Sequence, residues 1–544
     1  MIPNPRTRSV RRYPLARLLG TSSMAALVRS IHRHGINLLA LVEYAARLYP
    51  DRPAVADERE ALTYRELAAS SEQLAKRLRD SNGLTRGQRV GTLCRNSAAF
   101  IRLIIAVSRT GADLVLLNPE LSNEQVASRL QEQRLDWLVH DEDAAERLEA
   151  RERRTRPEQA YSSGETLGVP LPQGLKRLPL SLLAGEALDE RAPGSPLARS
   201  ASGGLVLLTS GTTGKAKEAE HKPSLFAYLG PFFALTNRLK LTQANAAYLA
   251  TPLSHGYGLA VLFVFLALGR KTVVRPRFEA AEACRAVREH QVEVMTAVPL
   301  MVEKMLAQDP EAMTSLRCIA AGGAVLSPRL VEEVTRTLGP VLHNLYGTSE
   351  AGLTLIAAPG DLCQSAVTIG RRIPGVRVRI EDASGREAPP DTLGVLSVRS
   401  RSAMASRRRK WTATGDIGYR DRNGLYYLGG RTDDLVVSAG ENVYPLEVEQ
   451  VLRRHPLVAD AAVIGVPDEA FGQRLKGFIV PLPGASLTAD ELLAWLRAGR
   501  LARYQMPREL VFREELPYTP LGKPDKASLK AEGEAAAAKG RLNI

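Results

Sequence analysis

Leu205-Val206-Leu207-Leu208 runs directly into Thr209-Ser210-Gly211-Thr212-Thr213-Gly214-Lys215-Ala216-Lys217, and no other stretch restricts the chain so strongly. A short apolar run ending in a turn predicts a buried strand over 204–208. The turn itself suits a polyphosphate: glycines let backbone N–H groups approach, hydroxyls donate, and the two ammonium groups offset charge. It is not the usual nucleotide P-loop, which needs GxxxxGK[ST]. Here alanine follows Gly214-Lys215 and threonine occupies position 209. On spacing alone, a Ser/Thr/Gly loop without a ligand satisfies the pattern as well as a phosphate cradle does.

The flanking sequence has the rhythm of a layered α/β domain. Leu38, Leu39, Val42 and Leu48 follow a helical period, a second helix opens at 62–64, and Val90–Leu93 and Asp113–Leu117 read as short buried strands. Residues 151–203 turn to Arg, Pro, Gly and Ser and are expected to form a long surface connection. A compact unit begins after 430. Pro445 suits a first helical position, with Glu447 and Glu449 in the first turn. His455-Pro456 should end that helix, and 458–466 and 475–480 read as strands. Thr488-Ala489-Asp490-Glu491 has the form of a capping box. At 544 residues the chain exceeds what one core supports. The expected organisation is a basic tail over 1–35, a large domain over 36–430, a hinge at 431–434, a small α+β domain over 435–530 and a tail over 531–544.

The net charge of +14 is concentrated rather than spread. Residues 1–34 hold seven arginines and no Lys, Asp or Glu, and 399–410 hold six basic residues and no acid, together thirteen of the excess. Only Trp411 is near the second stretch for base stacking, so no nucleic-acid partner is expected. The first stretch reads as a solvated tail or as a peripheral contact with an anionic membrane, where each basic residue contributes about 1 kcal/mol. Cys94, Cys284, Cys318 and Cys363 are far apart with no CxxC pair, which suits a cytoplasmic setting. The longest apolar run, 259–268, is about half of the ~20 residues needed to span a bilayer.

Further motifs follow the loop in order, and with it they resemble the adenylate-forming superfamily, which includes acyl-CoA synthetases. They are Tyr346-Gly347-Thr348-Ser349-Glu350, Thr414-Gly415-Asp416, Gly430-Arg431-Thr432-Asp433-Asp434 running on through Gly440 to Glu447, and Pro517-Tyr518-Thr519-Pro520-Leu521-Gly522-Lys523. Taken singly, Glu350 and Lys523 read as solvated surface residues, the TGD as a turn and His255 as a structural histidine. The resemblance, which covers roughly 36–530, assigns them roles. Thr209, Ser210, Gly211, Thr212, Thr213, Gly214, Lys215 and Lys217 would cradle phosphates, and Tyr346 would lie against adenine with Gly322 and Gly347 nearby. Thr348 would contact the α-phosphate, Glu350 would hold Mg²⁺, and Asp416 and Arg431 would hold ribose or phosphate. Asp433 would be the hinge, Gly440 would face CoA, Lys523 would serve adenylation, and His255 would stand at the acyl pocket mouth.

The implied fold is a large multi-layer α/β domain with a small mobile α+β domain. The implied activity is an ATP-dependent carboxylic acid:CoA ligase that passes through an acyl-adenylate, uses ATP, Mg²⁺ and CoA, and takes a fatty acid for preference. Two alternatives stand beside it: an adenylation enzyme loading a separate carrier protein, and a silent nucleotide-binding scaffold. The sequence departs from the resemblance at Glu218, which brings a carboxylate near the phosphate loop.

Overall fold

The computed structural model describes residues 21–149, 171–184, 196–209, 217–221, 225–348, 350–401, 403–404, 407, 409–438, 441–468, 472–498, 501–519 and 522–532. The chain divides into two compact units. The first comprises 1–297, 311–319 and 402–408; the second comprises 298–310, 320–401 and 409–544.

Parallel pairing dominates the first unit. One sheet runs in the order Lys176–Pro179, Trp137–His140, Arg89–Leu93, Asp113–Leu116, Leu205–Thr209, Lys217–His221, parallel except for its last pair. The central strands have buried side chains on both faces, as parallel strands covered by helices require. A second set runs Val294–Ala297, Ala246–Leu249, Lys271–Val274, Pro53–Ala56, with Ala61–Thr63 antiparallel at its edge. The helix Tyr64–Asp80 starts on a capping box between Thr63 and Glu66. Tyr64 is fully buried and its hydroxyl donates to the Arg270 carbonyl at 2.7 Å.

Two sequence expectations need correction here. The stretch 151–203 is not all connection, because Lys176–Pro179 pairs parallel with Trp137–His140 and a short helix, Leu180–Ala184, follows. An edge strand has one free side and no need of a continuous apolar run, so its composition hid it. Within the stretch expected as a tail, Thr21–His34 form a helix that buries Ser23, Ala26, Ser30 and His34.

Antiparallel pairing dominates the second unit. Its larger sheet runs in the order Val376–Glu381, Gly394–Ser400, Thr412–Arg420, Tyr426–Arg431, Thr368–Arg372, Gly352–Ala357, Leu342–Thr348. A smaller sheet pairs Val458–Asp468 with Gly472–Pro481, adds Val436–Ser438 and Glu441–Val443, and receives Glu509–Phe512 in parallel. The helices Pro445–Leu452 and Ala489–Arg497 share a core with it through Val448, Leu452, Val463, Ile479, Leu492 and Leu496. Pro445 is at the helix start, and Thr488 and Glu491 form the capping box.

Candidate active site

The site is built on strand register. Thr412–Arg420 and Tyr426–Arg431 pair so that Asp416 is directly opposite Arg431. Opposed residues of an antiparallel pair share a face, so the ion pair from Arg431 Nη1 to Asp416 Oδ1, 3.0 Å, follows from the ladder. Gly415 has φ +82, a left-handed conformation that favours glycine, and a Cβ there would meet Arg431 Nη2 at 3.2 Å. The loop is further fixed by Thr414 Oγ1, which donates to the Leu396 carbonyl at 2.8 Å, and by Thr432 Oγ1, which donates to the Gly415 carbonyl at 3.1 Å.

Tyr346, on Leu342–Thr348, donates its hydroxyl to Asp416 Oδ2 at 2.5 Å. Burial raises the Asp416 carboxyl above its ordinary value, against the Tyr346 hydrogen bond and the Arg431 charge. Burial also pushes the Tyr346 hydroxyl well up, with Asp416 adding to the rise. Solvent reaches Lys523, yet the protein packed around it lowers its ammonium, against the charge of Asp416, which raises it. Arg431 turns its other edge to Asp433, with Nε and Nη2 donating at 2.9 and 3.2 Å.

The structure thus gathers Tyr346, Asp416, Arg431, Asp433 and Lys523 in one unit. Thr348 ends the same strand as Tyr346 and accepts from the Ala351 N–H at 3.2 Å, which places Glu350 in the turn that follows. Gly322 ends the strand Cys318–Gly322, where a Cβ would press on the Leu345 carbonyl at 2.9 Å. His255 belongs to the first unit, as the residue before the helix Gly256–Ala267. Thr209 and Lys217 belong to paired strands. Ser210, Gly211, Thr212, Thr213, Gly214, Lys215 and Gly440, together with the Glu218 side chain, lie outside the described residues.

Sequence reasoning named Tyr518 only as part of a motif and Glu449 only as a first-turn acid, and missed Lys526, Arg453, Asp460 and Glu303 around the Lys523 turn. Their partners come from distant segments, and no local pattern marks them.

A carboxylate oxygen accepts more than one hydrogen bond. Asp416, held by one donor on each oxygen, therefore keeps acceptor capacity for the vicinal hydroxyls of a ribose, and the residues fit a nucleotide. The fold and this cluster define an adenylate-forming enzyme. A family model described as AMP-binding enzyme matches residues 42–406, and one described as AMP-binding enzyme C-terminal domain matches 447–523. The chain belongs to this family, with its large N-terminal and small C-terminal domains.

It is 30% identical over 512 residues to the indoleacetate–CoA ligase of Aromatoleum aromaticum, covering 90% of this chain and 96% of that one. It is 29% identical over 518 residues to the fatty acid–[acyl-carrier-protein] ligase ScoC of Streptomyces coeruleorubidus, covering 89% and 94%. The solved o-succinylbenzoate CoA synthetase of Bacillus subtilis, in complex with its acyl-adenylate intermediate, superposes with a TM-score of 0.76 at 26% identity, covering 90% and 97%. The protein is an ATP-dependent acid–CoA ligase that acts through an acyl-adenylate and uses ATP, Mg²⁺ and CoA.

Proposed function

We propose that this ligase activates an apolar carboxylic acid, with arylacetic and arylcarboxylic acids as the first candidates. The observation that carries the nucleotide part is Asp416, buried and gripped by Tyr346 and Arg431 on separate oxygens. Likeness to the indoleacetate and o-succinylbenzoate enzymes supports the aryl choice. The fatty-acid preference expected from the sequence is the next candidate.

In this reading Asp416 accepts from the ribose hydroxyls, Tyr346 borders adenine, and Arg431 reaches ribose or phosphate. Thr348 and Lys523 would aim donors at the α-phosphate while the acid's carboxylate attacks it and pyrophosphate leaves, giving the acyl-adenylate from which the CoA thiol then displaces AMP, so that the protein contributes positioning and charge stabilisation and no covalent nucleophile. Glu350 offers Mg²⁺ the hard oxygen that ion prefers, and the metal supplies neutralisation of phosphate charge when bound. Residues 209–217 would cradle the triphosphate, Asp433 would act as the hinge, Gly440 would face CoA, and His255 would stand at the acid pocket.

The test is a panel of indoleacetate, 2-succinylbenzoate and fatty acids of graded length, with pyrophosphate followed with and without CoA. Turnover with aryl acids and CoA is expected. Preference for fatty acids would reverse the substrate assignment. CoA-independent adenylate formation would favour a carrier protein as acceptor, a reading that the likeness to ScoC supports.

We further propose a peripheral contact with anionic membranes through the helix Thr21–His34. It exposes Met24 and Val28 one turn apart, beside Arg29 and Arg33. Among the described residues no helix is long and apolar enough to cross a membrane. Co-sedimentation with phosphatidylserine vesicles should occur and should be lost in Met24→Glu/Val28→Glu.

A further inference from the structure

The turn that carries Lys523 is closed by its own backbone. Thr519 N–H donates to the Lys523 carbonyl and Gly522 N–H to the Thr519 carbonyl, both at 2.8 Å, while Asp525 N–H donates to the Pro517 carbonyl at 2.7 Å. Gly522 has φ +68, and a Cβ there would come within 2.9 Å of Val298 Cγ2. These contacts shape the turn, and Leu516 before it and Leu529 after it pack with Ala462, Ile464 and Phe478 of the small sheet.

Polar fastening adds to this packing through two residues flanking the turn. On one side, the Tyr518 hydroxyl donates to Asp460 Oδ2. On the other, Lys526 Nζ meets Glu449 Oε1 at 2.8 Å and stands 3.9 Å from Asp434, next to the expected hinge residue. Both carboxylates are also engaged by one guanidinium: Arg453 Nε bonds Asp460 Oδ1 at 2.7 Å, and its Nη2 is 3.9 Å from Glu449 Oε2. Backbone N–H groups complete the set, Ala461 on Asp460 at 2.7 Å and Val463 on Glu449 at 2.9 Å. Glu449, Arg453, Asp460 and Lys526 together carry two negative and two positive charges. Glu449 is 3% exposed and Arg453 is largely covered, while Asp460 and Lys526 keep 26% and 24% of their side chains in solvent.

We propose that Tyr518 and Lys526 are positioning residues for adenylation, fastening the Lys523 turn from both sides to the buried Glu449–Arg453–Asp460 cluster. The proposal rests on the reading of Lys523 as the adenylation lysine. Neither residue touches substrate. Each acts by restricting where the Lys523 ammonium can stand, and small misplacements of a reacting group are costly.

The test uses the full-length enzyme with Tyr518→Phe, Lys526→Met, Lys526→Arg, the Phe/Met double variant, and each change combined with Lys523→Ala. Acid-dependent ATP–pyrophosphate exchange reads the first half-reaction; thioester formation from a supplied acyl-adenylate and CoA reads the second. The expected result is a fall of about 10- to 100-fold in exchange kcat for the double variant. KM for ATP should stay within about twofold, the second half-reaction should be spared, and Lys526→Arg should recover most of the loss. In the Lys523→Ala background the same changes should cost nothing further, because their effect passes through the missing ammonium.

Undiminished exchange in the double variant beside an impaired Lys523→Ala would overturn the proposal alone. So would equal losses in both half-reactions, or losses that multiply in the Lys523→Ala background. Undiminished exchange in Lys523→Ala would remove the reading of Lys523, and the proposal with it.

Discussion

Arg109, in the first unit, gives Nη1 to the Ala198 carbonyl and Nη2 to the Leu197 carbonyl, both at 2.8 Å. Arg453, in the second, gives Nε to the Asp460 carboxylate and Nη2 to the Ala461 carbonyl, both at 2.7 Å. Both guanidiniums are largely removed from water. For Arg109 burial prevails and lowers its affinity for the proton, with Glu72 opposing. For Arg453 burial acts the same way, but Asp460 and Glu449 outweigh it and the net shift is upward. The first arrangement uses dipoles to staple the irregular segment before Leu205–Thr209. The second uses opposite charges, so each member depends on the others. Carbonyls left behind by a lost arginine are neutral; carboxylates left behind are stranded charges.

The largest effect that would test this contrast is on activity. Lys523→Ala should lower acid-dependent pyrophosphate exchange by about 10²–10³, whereas Arg109→Met, in the other unit and with no member of the charge network among its hydrogen-bond acceptors, should leave exchange within about threefold. A comparable loss in both would erase the functional side of the comparison. Next come the arginines themselves. Arg453→Met should destabilise the protein by about 3–5 kcal/mol and Arg109→Met by about 1–3 kcal/mol, read from urea unfolding followed by hydrogen exchange in each unit. The reverse order would break the comparison.

Acid and alkali should then separate the units. Glu303 keeps an exposed edge, yet the protein packed around it pushes its carboxyl up to about 7, Asp460 adding to the rise and Arg453 opposing it. Between its ordinary value of 4.5 and about 7 the folded protein keeps a proton that the unfolded chain has released, so this contribution is lost as pH rises. His34 is the mirror case. Among the described residues neither of its ring nitrogens has a hydrogen-bond partner, and burial lowers it from 6.5 to about 4, against Glu72. The unfolded chain holds the extra proton there, so stability is lost as pH falls across that window. Hydrogen exchange in Glu303→Gln should show added protection of the second unit at pH 8 and none at pH 4. His34→Gln should flatten the acid limb of the first.

The smallest effects serve as a control. Thr63→Ala and Thr488→Ala each remove a helix cap, one per unit, and should each cost about 1 kcal/mol. Equal costs, seen as equal drops in local exchange protection, would show that the units differ through their buried charges and not in general firmness.

Local signals carried much of the fold into the sequence. Pro445 and the Thr488–Glu491 box announce helix starts through short-range chemistry, and the apolar runs at 90–93 and 113–117 announce strands. The edge strand Lys176–Pro179 carried no such signal, since an edge position tolerates Lys, Arg and Pro. In the site, Tyr346, Asp416, Arg431 and Lys523 were legible only through motif resemblance, because the register that joins Asp416 to Arg431 is a property of the folded ladder. The cluster beneath Lys523 was not legible. Tyr518 and Asp460 are 58 residues apart, and a Tyr and an Asp at that distance form no pattern.

The burial of Glu449 and Arg453 has a last consequence. Mobile ions screen charges that face solvent, with a decay length of about 8 Å at physiological ionic strength, but they do not enter a dry protein interior. The Glu449–Arg453 part of the mounting is therefore insulated from the salt content of its surroundings, while its Asp460 and Lys526 edges feel some of it and the arginines of the Thr21–His34 helix feel every change.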